Sequence, residues 1–386
     1  MIAASGEYTV LKQVREWVMK KSSGVIYIKK GWLFAGLFAL VWLAIFVGKF
    51  AGNSGEETAS AETAAAGEEE KEYIKWVDFD VTKEALQRAY EYDLETHETA
   101  CPVHWVDLLA YLGAKYGGDF SRYRDSDLDE AVQLFQSGEI SAEQLTMEMK
   151  YYSYYREAYG AVLDGMVGEY QIEETDGAGT RWVTKYGLKA FHPLAKGFPY
   201  SDYDDFGTSR SYGYSRPHLG HDMMAQVGTP VIAVESGYVF LLGWNQYGGW
   251  RIGINSFDGK RYYYYAHLRK DFPYAGWLEE GCAVQAGDVI GYVGRTGYSV
   301  SENVNNIDEY HLHFGMQLIF DESQRDGTNQ IWIDVYPLIR FLYQNRSEAV
   351  RDDATKEWSR LVPFRDPAVQ NWQMNVRQDP LKMQLF

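Results

Sequence analysis

Between residues 73 and 170, apolar positions recur every three or four residues, a spacing typical of amphipathic helices. The longest such stripe runs from Leu145 to Met166 and predicts one long helix. We therefore interpret residues 73–170 as a helical domain. The signals that bound its other helices are a cap at Asp80 or Thr82, a stop at Gly117 and Gly118, and a capping box that begins at Ser141.

From residue 181 onward the apolar runs become short, rich in β-branched residues and separated by glycine, which favours strands. Asp258-Gly259 lies between two such runs and is typical of a hairpin turn. We predict an all-β domain over residues 181–340, whereas residues 347–386 indicate no particular structure. The fold class expected from this order is an α+β protein with several domains.

An uninterrupted apolar stretch occupies residues 31–48, which contain no charged side chain. At about 1.5 Å per residue a helix of this length spans ~27 Å, close to the hydrocarbon thickness of a bilayer. Lysines precede the stretch and glutamates follow it, so the positive-inside rule predicts a single-pass transmembrane helix. Residues 1–30 would then be cytoplasmic and the later domains extracytoplasmic. A buried core helix is the alternative, which the flanking lysines disfavour.

Two segments flank this apolar stretch. Residues 51–72 are rich in glutamate and contain almost no large apolar side chain, so we predict a disordered acidic linker. Residues 10–21 combine a helical apolar stripe with lysines. This pattern fits a helix on the inner membrane surface and a frayed tail equally well.

Charge and cysteine content exclude some classes of protein. The chain has 37 Lys and Arg against 54 Asp and Glu, a net charge of −17, which disfavours a non-specific nucleic-acid binder. Its two cysteines are too few for a disulfide scaffold. Cys101 and Cys282 fall in different predicted domains, so we expect no bridge between them.

Five of the eight histidines lie between residues 218 and 313. His218 and Asp222 are four residues apart, about 13 Å in a straight strand, so the chain must bend between them, and Gly220 permits a bend. On a strand, His311 and His313 point to the same face about 6.6 Å apart. His218, Asp222 and one of these two histidines offer three ligands to a zinc ion, a number that leaves its fourth position open.

A third histidine cluster places His267 at the predicted end of a strand. His267 and whichever of His311 and His313 does not bind metal can supply a general base and a donor to a developing oxyanion. The alternative is a set of structural histidines, which three clusters in one domain disfavour.

The order of these motifs adds further information. They are Phe206-Gly207 with Arg210, His218-x-x-x-Asp222, Gly228-Thr229-Pro230-Val231, Tyr265-Ala266-His267-Leu268, Gly287-Asp288, Gly294-Arg295-Thr296-Gly297 and His311-Leu312-His313. Over roughly residues 190–340 the chain resembles the lysostaphin/LytM-type zinc peptidases of bacterial cell walls (metallopeptidase family twenty-three). The resemblance implies a duplicated hybrid motif fold and one zinc ion per chain. It also implies His218, Asp222 and His313 as zinc ligands, with His267 and His311 as the catalytic pair that holds the water and stabilises the oxyanion.

Three features leave alternatives open. His221 lies inside the H-x-x-x-D motif, where a small apolar residue is usual, and could be a supporting partner, another ligand or a packed surface histidine. Residues 298–310 form a long, acidic loop that we expect to overhang the cleft. A tyrosine ahead of the first ligand often assists in this family, and both Tyr212 and Tyr214 are candidates.

The sequence therefore predicts a membrane-anchored zinc endopeptidase that cleaves peptide cross-links of peptidoglycan. One alternative is a catalytically silent domain that binds the cell wall or activates another hydrolase. A cupin-type oxygenase around His311 and His313 lacks a nearby glutamate. We expect the Tyr-rich region 73–170 to be a spacer or regulatory module, which could dock a protein partner and whose removal leaves cleavage intact or raises it.

Overall fold

The computed structural model describes residues 73–378 except 139–143, 145–146, 178 and 328. The predicted segments 1–30, 31–48 and 51–72 and the capping box at Ser141 lie outside the described residues. Among the helices that the structure describes, none combines the length and apolar character needed to cross a bilayer. The described residues belong to one compact unit, Lys71–Phe386.

Four helices come first along the described chain, a fifth lies between two strands near its end, and a sixth follows the last strand. Thr82 caps the first of them by accepting a hydrogen bond from the backbone N–H of Ala85, and Gly117 ends the second in a left-handed conformation. Short 3₁₀ helices form at Phe120–Arg122 and Glu322–Gln324. The helices are α1 (Lys83–Thr96), α2 (Trp105–Tyr116), α3 (Asp125–Gln136), α4 (Tyr152–Leu163), α5 (Tyr336–Leu342) and α6 (Pro367–Gln378).

The long helix predicted from Leu145 to Met166 is wrong in its extent. Helix α4 spans only Tyr152–Leu163. Tyr151, which precedes it, has a φ of 74° and therefore cannot continue a right-handed helix. Leu145 itself lies outside the described residues, and Met166 lies beyond the last turn of α4.

The strands form one large sheet and several small ones. The large sheet has eight strands in the order β11-β8-β9-β10-β13-β6-β3, with β14 paired to β13. Strands β1, β2 and β17 form a three-stranded sheet, and β12–β7, β15–β16 and β4–β5 form pairs. The strands are β1 (Val167–Asp176), β2 (Gly179–Leu188), β3 (Tyr200–Ser201), β4 (Ser209–Tyr212), β5 (Tyr214–Pro217), β6 (His221–Ala225), β7 (Pro230–Ile232), β8 (Gly237–Asn245), β9 (Gly249–Ser256), β10 (Arg261–Ala266), β11 (Ala283–Val284), β12 (Val289–Tyr292), β13 (Leu312–Leu318), β14 (Ile331–Trp332), β15 (Ala349–Arg351), β16 (Trp358–Arg360) and β17 (Phe364–Arg365).

These bounds differ from the predicted ones at both ends of the β region. The strands begin at Val167, and residues 347–386, which the sequence pattern left unassigned, contain β15, β16, β17 and α6. Helix α5 also interrupts the predicted all-β pattern, and its Leu338, Ile339 and Phe341 are buried. The described chain is thus mostly β with helices on both sides of it in sequence.

One hydrophobic core joins the helices to the large sheet, since buried residues from Val77 to Leu342 form a single cluster. A buried ion pair between Arg261 on β10 and Glu235, with N–O distances of 2.8 and 2.9 Å, reinforces this junction. Arg261 also donates to the carbonyl oxygens of Ala161 and Asp164 at the end of α4, both at 2.8 Å. The expected boundary between 170 and 181 therefore does not separate two cores. Deleting residues 73–170 would remove α4 together with these carbonyl acceptors and would expose the shared core, which argues against a removable spacer.

Candidate active site

Strand register brings two of the predicted ligands together. In the antiparallel pair β13–β6, His313 lies opposite Asp222, and on its other side His313 lies opposite Ala266 of β10. His218 precedes β6, in the turn that follows β5. The bend predicted between His218 and Asp222 is therefore present, since the two residues belong to a turn and a strand.

Three potential ligand atoms converge at this point. His218 Nε2 lies 3.0 Å from Asp222 Oδ1 and 2.9 Å from His313 Nδ1, and the last two atoms are 2.9 Å apart. His218 and Asp222 are buried. A divalent cation among these atoms would satisfy all three lone pairs, and zinc accepts imidazole nitrogen and carboxylate oxygen together. The residues present thus fit a zinc ion bound by three protein ligands.

Gly220 allows the His313 ring to approach the turn. A methyl group on Gly220 would lie 2.6 Å from Cε1 of His313 and 2.7 Å from the carbonyl oxygen of Phe314. The backbone of Gly220 does not adopt a left-handed conformation. Its contribution is therefore space for the ligand, rather than the backbone freedom that the sequence suggested.

Charged side chains behind the triangle orient its ligands. Arg210 donates to Oδ2 of Asp222 at 3.1 Å, which leaves Oδ1 for the metal, and to Oδ2 of Asp205 at 2.6 Å. His218 Nδ1 lies 3.1 Å from the carbonyl oxygen of Asp205 and 3.2 Å from its Oδ2, so it donates there and keeps Nε2 as the ligand atom. Asp205 was not recognised from the sequence, although it directly precedes the Phe206-Gly207 motif.

The electrostatics of this cluster favour positive charge. Burial opposes a proton on His218, but hydrogen bonds to Asp205 and Asp222 outweigh it and raise the pKa of His218 to about 9. Burial would raise the pKa of Asp222, yet its hydrogen bonds to His218 and His313 hold that pKa well below the usual range. The carboxylates that attract a proton here would also attract a metal cation.

His267 and His311 lie beside the triangle with matching hydrogen bonds. His267 Nδ1 is 2.9 Å from the carbonyl oxygen of Thr296, and His311 Nδ1 is 3.0 Å from that of Glu309. Both imidazoles therefore donate through Nδ1 to the main chain and keep a lone pair on Nε2. Their ring centroids are 4.7 Å apart, and His311 Nε2 lies 3.7 Å from Asp222 Oδ1. Burial and the neighbouring His311 lower the pKa of His267 well below its ordinary value.

His221 lies outside the ligand triangle. Its side chain is buried, with Nε2 3.0 Å from Oδ2 of Asp202 and Nδ1 3.6 Å from Oδ1 of Asp205. This position rules out a surface histidine and places His221 behind Asp205 as part of the support. Of the His311 and His313 pair only His313 belongs to the triangle, which differs from the arrangement that the oxygenase alternative required.

A cleft with a volume of about 720 Å³ opens beside the triangle and includes His267 and His311 in its wall. Tyr298 is the residue of the predicted overhanging loop, 298–310, that lines it. Farther along, Asn303 accepts hydrogen bonds from Trp250 Nε1 and the backbone N–H of Asp271, both at 2.9 Å. These bonds hold the middle of the loop at the rim.

The two candidate tyrosines differ in position. Tyr214 lines the cleft, whereas Tyr212 stacks on Tyr298 with ring centroids 4.9 Å apart. The cleft also contains Arg216 and Arg251, which the sequence did not single out because neither belongs to a recognisable motif. Arg216 lies on β5 and Arg251 on β9, two strands far apart in sequence that both reach this wall.

A largely buried His-Asp-His triangle, two further imidazoles and a cleft along one sheet define a metallohydrolase type of site. Comparison with known proteins gives the particular family. Residues 216–327 match the profile of Peptidase family M23, and this part of the chain is a peptidase M23 domain.

Relatives support this assignment. The chain is 32% identical over 201 residues to the L-Ala–D-Glu endopeptidase of Bacillus subtilis, a match that covers 49% of this chain and 58% of that protein. It is 40% identical over 98 residues to lysostaphin of Staphylococcus simulans, covering 25% of this chain and 17% of lysostaphin. The chain thus spans less than two thirds of the length of these relatives.

Solved structures give similar matches. The structure of a putative glycyl-glycine endopeptidase LytM from Ruminococcus gnavus has a TM-score of 0.44 and 24% identity, covering 69% of this chain and 93% of that one. The catalytic domain of lysostaphin from Staphylococcus simulans has a TM-score of 0.29 and 30% identity, covering 36% of this chain and 92% of that one.

Proposed function

We propose that this chain is a zinc-dependent endopeptidase that cleaves peptides of bacterial peptidoglycan. The observation that supports it best is the triangle of His218, Asp222 and His313 beside two imidazoles whose Nε2 atoms are free to act. The relatives are named for L-Ala–D-Glu and glycyl-glycine bonds, so a peptide of the wall is the substrate that we infer.

The proposed chemistry follows from the donor set. Zinc bound by His218, Asp222 and His313 would supply a Lewis acid that polarises a scissile carbonyl and acidifies water. Burial lowers the pKa of His267 and favours its neutral form, whose Nε2 can accept a proton from an attacking water. His311 keeps its Nδ1 proton hydrogen-bonded to the Glu309 carbonyl oxygen, and once its Nε2 also takes up a proton it can donate that proton to the substrate carbonyl oxygen as negative charge develops. The carbonyl oxygens of Thr296 and Glu309 accept hydrogen bonds from Nδ1 of the two rings, so Nε2 is the nitrogen available for proton transfer.

The test uses the full chain. The protein is stripped of metal by a chelator and then restored with one equivalent of zinc, and zinc is measured by mass spectrometry. The restored protein should release new amino termini from purified peptidoglycan, whereas the stripped protein should not. A folded, zinc-loaded protein that sediments with peptidoglycan but releases no termini would instead support the silent, wall-binding alternative.

We also propose that residues 31–48 anchor the chain in the membrane with the peptidase outside. The uncharged stretch between lysines and glutamates supports this placement. Protease added to intact, wall-stripped cells should reduce the protein to a short N-terminal fragment. A protected C-terminal fragment would show the opposite orientation.

A further inference from the structure

Two arginines in the cleft have no acidic partner. Arg216 on β5 and Arg251 on β9 both line the cleft, and neither forms an ion pair with another described residue. The other two arginines of the same wall are paired. Arg210 contacts Asp205 and Asp222, and Arg325 contacts Glu322 at 3.0 Å.

Both unpaired arginines hold a buried nitrogen without a hydrogen bond. Arg216 Nη1 and Arg251 Nε have no acceptor among the described residues. The other terminal nitrogen of Arg216 donates to the hydroxyl of Tyr298 at 3.2 Å, so its guanidinium group is held in place. A buried donor on a charged group is costly to leave without an acceptor, unless a ligand satisfies it.

Both arginines lie close to residues that neighbour His267 or His313. The guanidinium carbon of Arg216 lies 5.5 Å from the centroid of the Tyr298 ring, which is itself 6.1 Å from the His267 ring. Arg251 and Tyr264 meet beside Gly248, since a methyl group there would lie 3.3 Å from Cδ of Arg251 and 2.2 Å from the Tyr264 hydroxyl.

Gly248, which lies beside Arg251 and Tyr264, also contacts His267 of the proposed catalytic pair. Its carbonyl oxygen accepts the backbone N–H of His267 at 2.8 Å. Tyr264 also packs towards the metal site, with its ring centroid 5.8 Å from that of His313. Both cations are therefore placed to contact a substrate residue next to the bond that His267 and His311 would act on.

We propose that Arg216 and Arg251 bind a carboxylate on the peptide substrate, in a residue adjacent to the scissile bond. A guanidinium group matches a carboxylate through paired N–H donors, and two unpaired cations favour an anionic ligand even in a chain with a net charge of −17. The proposal rests on the peptidase function proposed above and specifies its substrate class, an acidic peptide. Neutral peptides such as glycine chains would leave both guanidinium groups unsatisfied.

Two peptides that differ in one group test this. Both contain Ala followed by an acidic or amide residue, D-Glu or D-Gln, and both have an amidated C-terminus so that the side chain is the sole difference in charge. The zinc-loaded wild type should cleave the D-Glu peptide with a kcat/KM about 10–100-fold higher, the effect of a hydrogen bond to a charged group. Arg216→Gln and Arg251→Gln should each reduce that ratio to a few-fold by lowering kcat/KM for the D-Glu peptide.

Arg181→Gln is the matched control, since Arg181 lies on the β1–β2 hairpin and pairs with Asp176. It should keep the wild-type ratio. Equal cleavage of both peptides by the wild type, or an unchanged ratio in both cleft variants, would overturn the carboxylate proposal and leave the peptidase function intact.

A binding measurement separates the two proposals. Calorimetry with the zinc-loaded His311→Ala protein should show tighter binding of the D-Glu peptide, lost when Arg251→Gln is added. If the wild type cleaves neither peptide but this preference is present, the peptidase function fails and the carboxylate site stands. If the peptides bind equally, or inorganic phosphate displaces the D-Glu peptide more strongly than acetate does, the carboxylate site is refuted.

Discussion

Replacing Gly220 by alanine tests whether the proposed zinc site depends on the close approach between the turn at Gly220 and the ring of His313. The new methyl group would lie 2.6 and 2.7 Å from Cε1 and Nε2 of His313 and 2.7 Å from the carbonyl oxygen of Phe314. Carbon contacts ordinarily lie at about 3.5–4.0 Å, so the turn and the ring must separate by roughly 0.8 Å or more. Because Phe314 belongs to the central strand β13, the His313 ring and the turn must absorb most of this movement.

The expected size of the effect follows from that displacement. Metal–ligand distances tolerate changes of only about 0.2 Å, so a shift several times larger should weaken zinc binding by about 100-fold, or roughly 2.7 kcal/mol. Overpacking should also lower the free energy of unfolding of the metal-free protein by about 1–3 kcal/mol. The two effects are measured separately, by competition with a chromophoric zinc chelator and by denaturant unfolding without metal.

Gly276→Ala is the control, because Gly276 has no atom within 4 Å of an added methyl group and a φ outside the left-handed region. It should change neither quantity. If Gly220→Ala is folded and binds zinc within threefold of the wild type, the close approach does not determine the position of the ligand, and the reasoning is wrong.

Three further predictions concern single side chains. His313→Ala should lose zinc, whereas His311→Ala should keep zinc and lose peptide cleavage; equal zinc loss in both would show that the two histidines share the ligand role. Asp205→Asn should weaken zinc binding by about tenfold in the chelator competition, since the supporting carboxylate is lost but the backbone acceptor remains, and an unchanged affinity would contradict this. The hydrogen bond from Lys115 lowers the pKa of Asp127 from 3.8 to about 2, so its stabilising effect is present above about pH 4 and lost as pH falls towards 2. Asp127→Asn should therefore lower the free energy of unfolding by about 1–2 kcal/mol at pH 7 and by less at pH 3, and a difference that does not change with pH would argue against the ion pair.

Parts of the His-Asp-His triangle could be predicted because their geometry is local. His311 and His313 alternate on one strand, and the spacing of His218 and Asp222 requires a bend that the turn before β6 provides. Strand register then pairs His313 with Asp222, a relation that resemblance implied and that no single motif contains. The support by Asp205 was missed because it depends on the carbonyl and carboxylate oxygens of a residue 13 positions before His218 lying beside its Nδ1 atom.

The division into domains was harder to predict because periodicity reports only local structure. The stripe from residue 145 correctly indicates helix, but nothing in an apolar pattern shows that Tyr151 breaks it. Likewise, Arg261 follows a hairpin signal in sequence, and its acceptors at Ala161 and Asp164 lie about a hundred residues earlier. Contacts of such long range determine that the helices and the sheet share a core.

The main-chain acceptors of His267 and His311 have a consequence for how this site could diversify. Thr296, just before the loop 298–310, and Glu309, near its end, accept hydrogen bonds from Nδ1 of His267 and His311 through their carbonyl oxygens. The two ends of the loop are therefore constrained by proton placement, while the stretch between them can change in length and composition without altering which ring nitrogen bears hydrogen. Replacing the segment between residues 299 and 307 with a foreign sequence should thus change substrate preference without changing the chemistry. The rim of the cleft is therefore a position at which one fold could acquire new specificities.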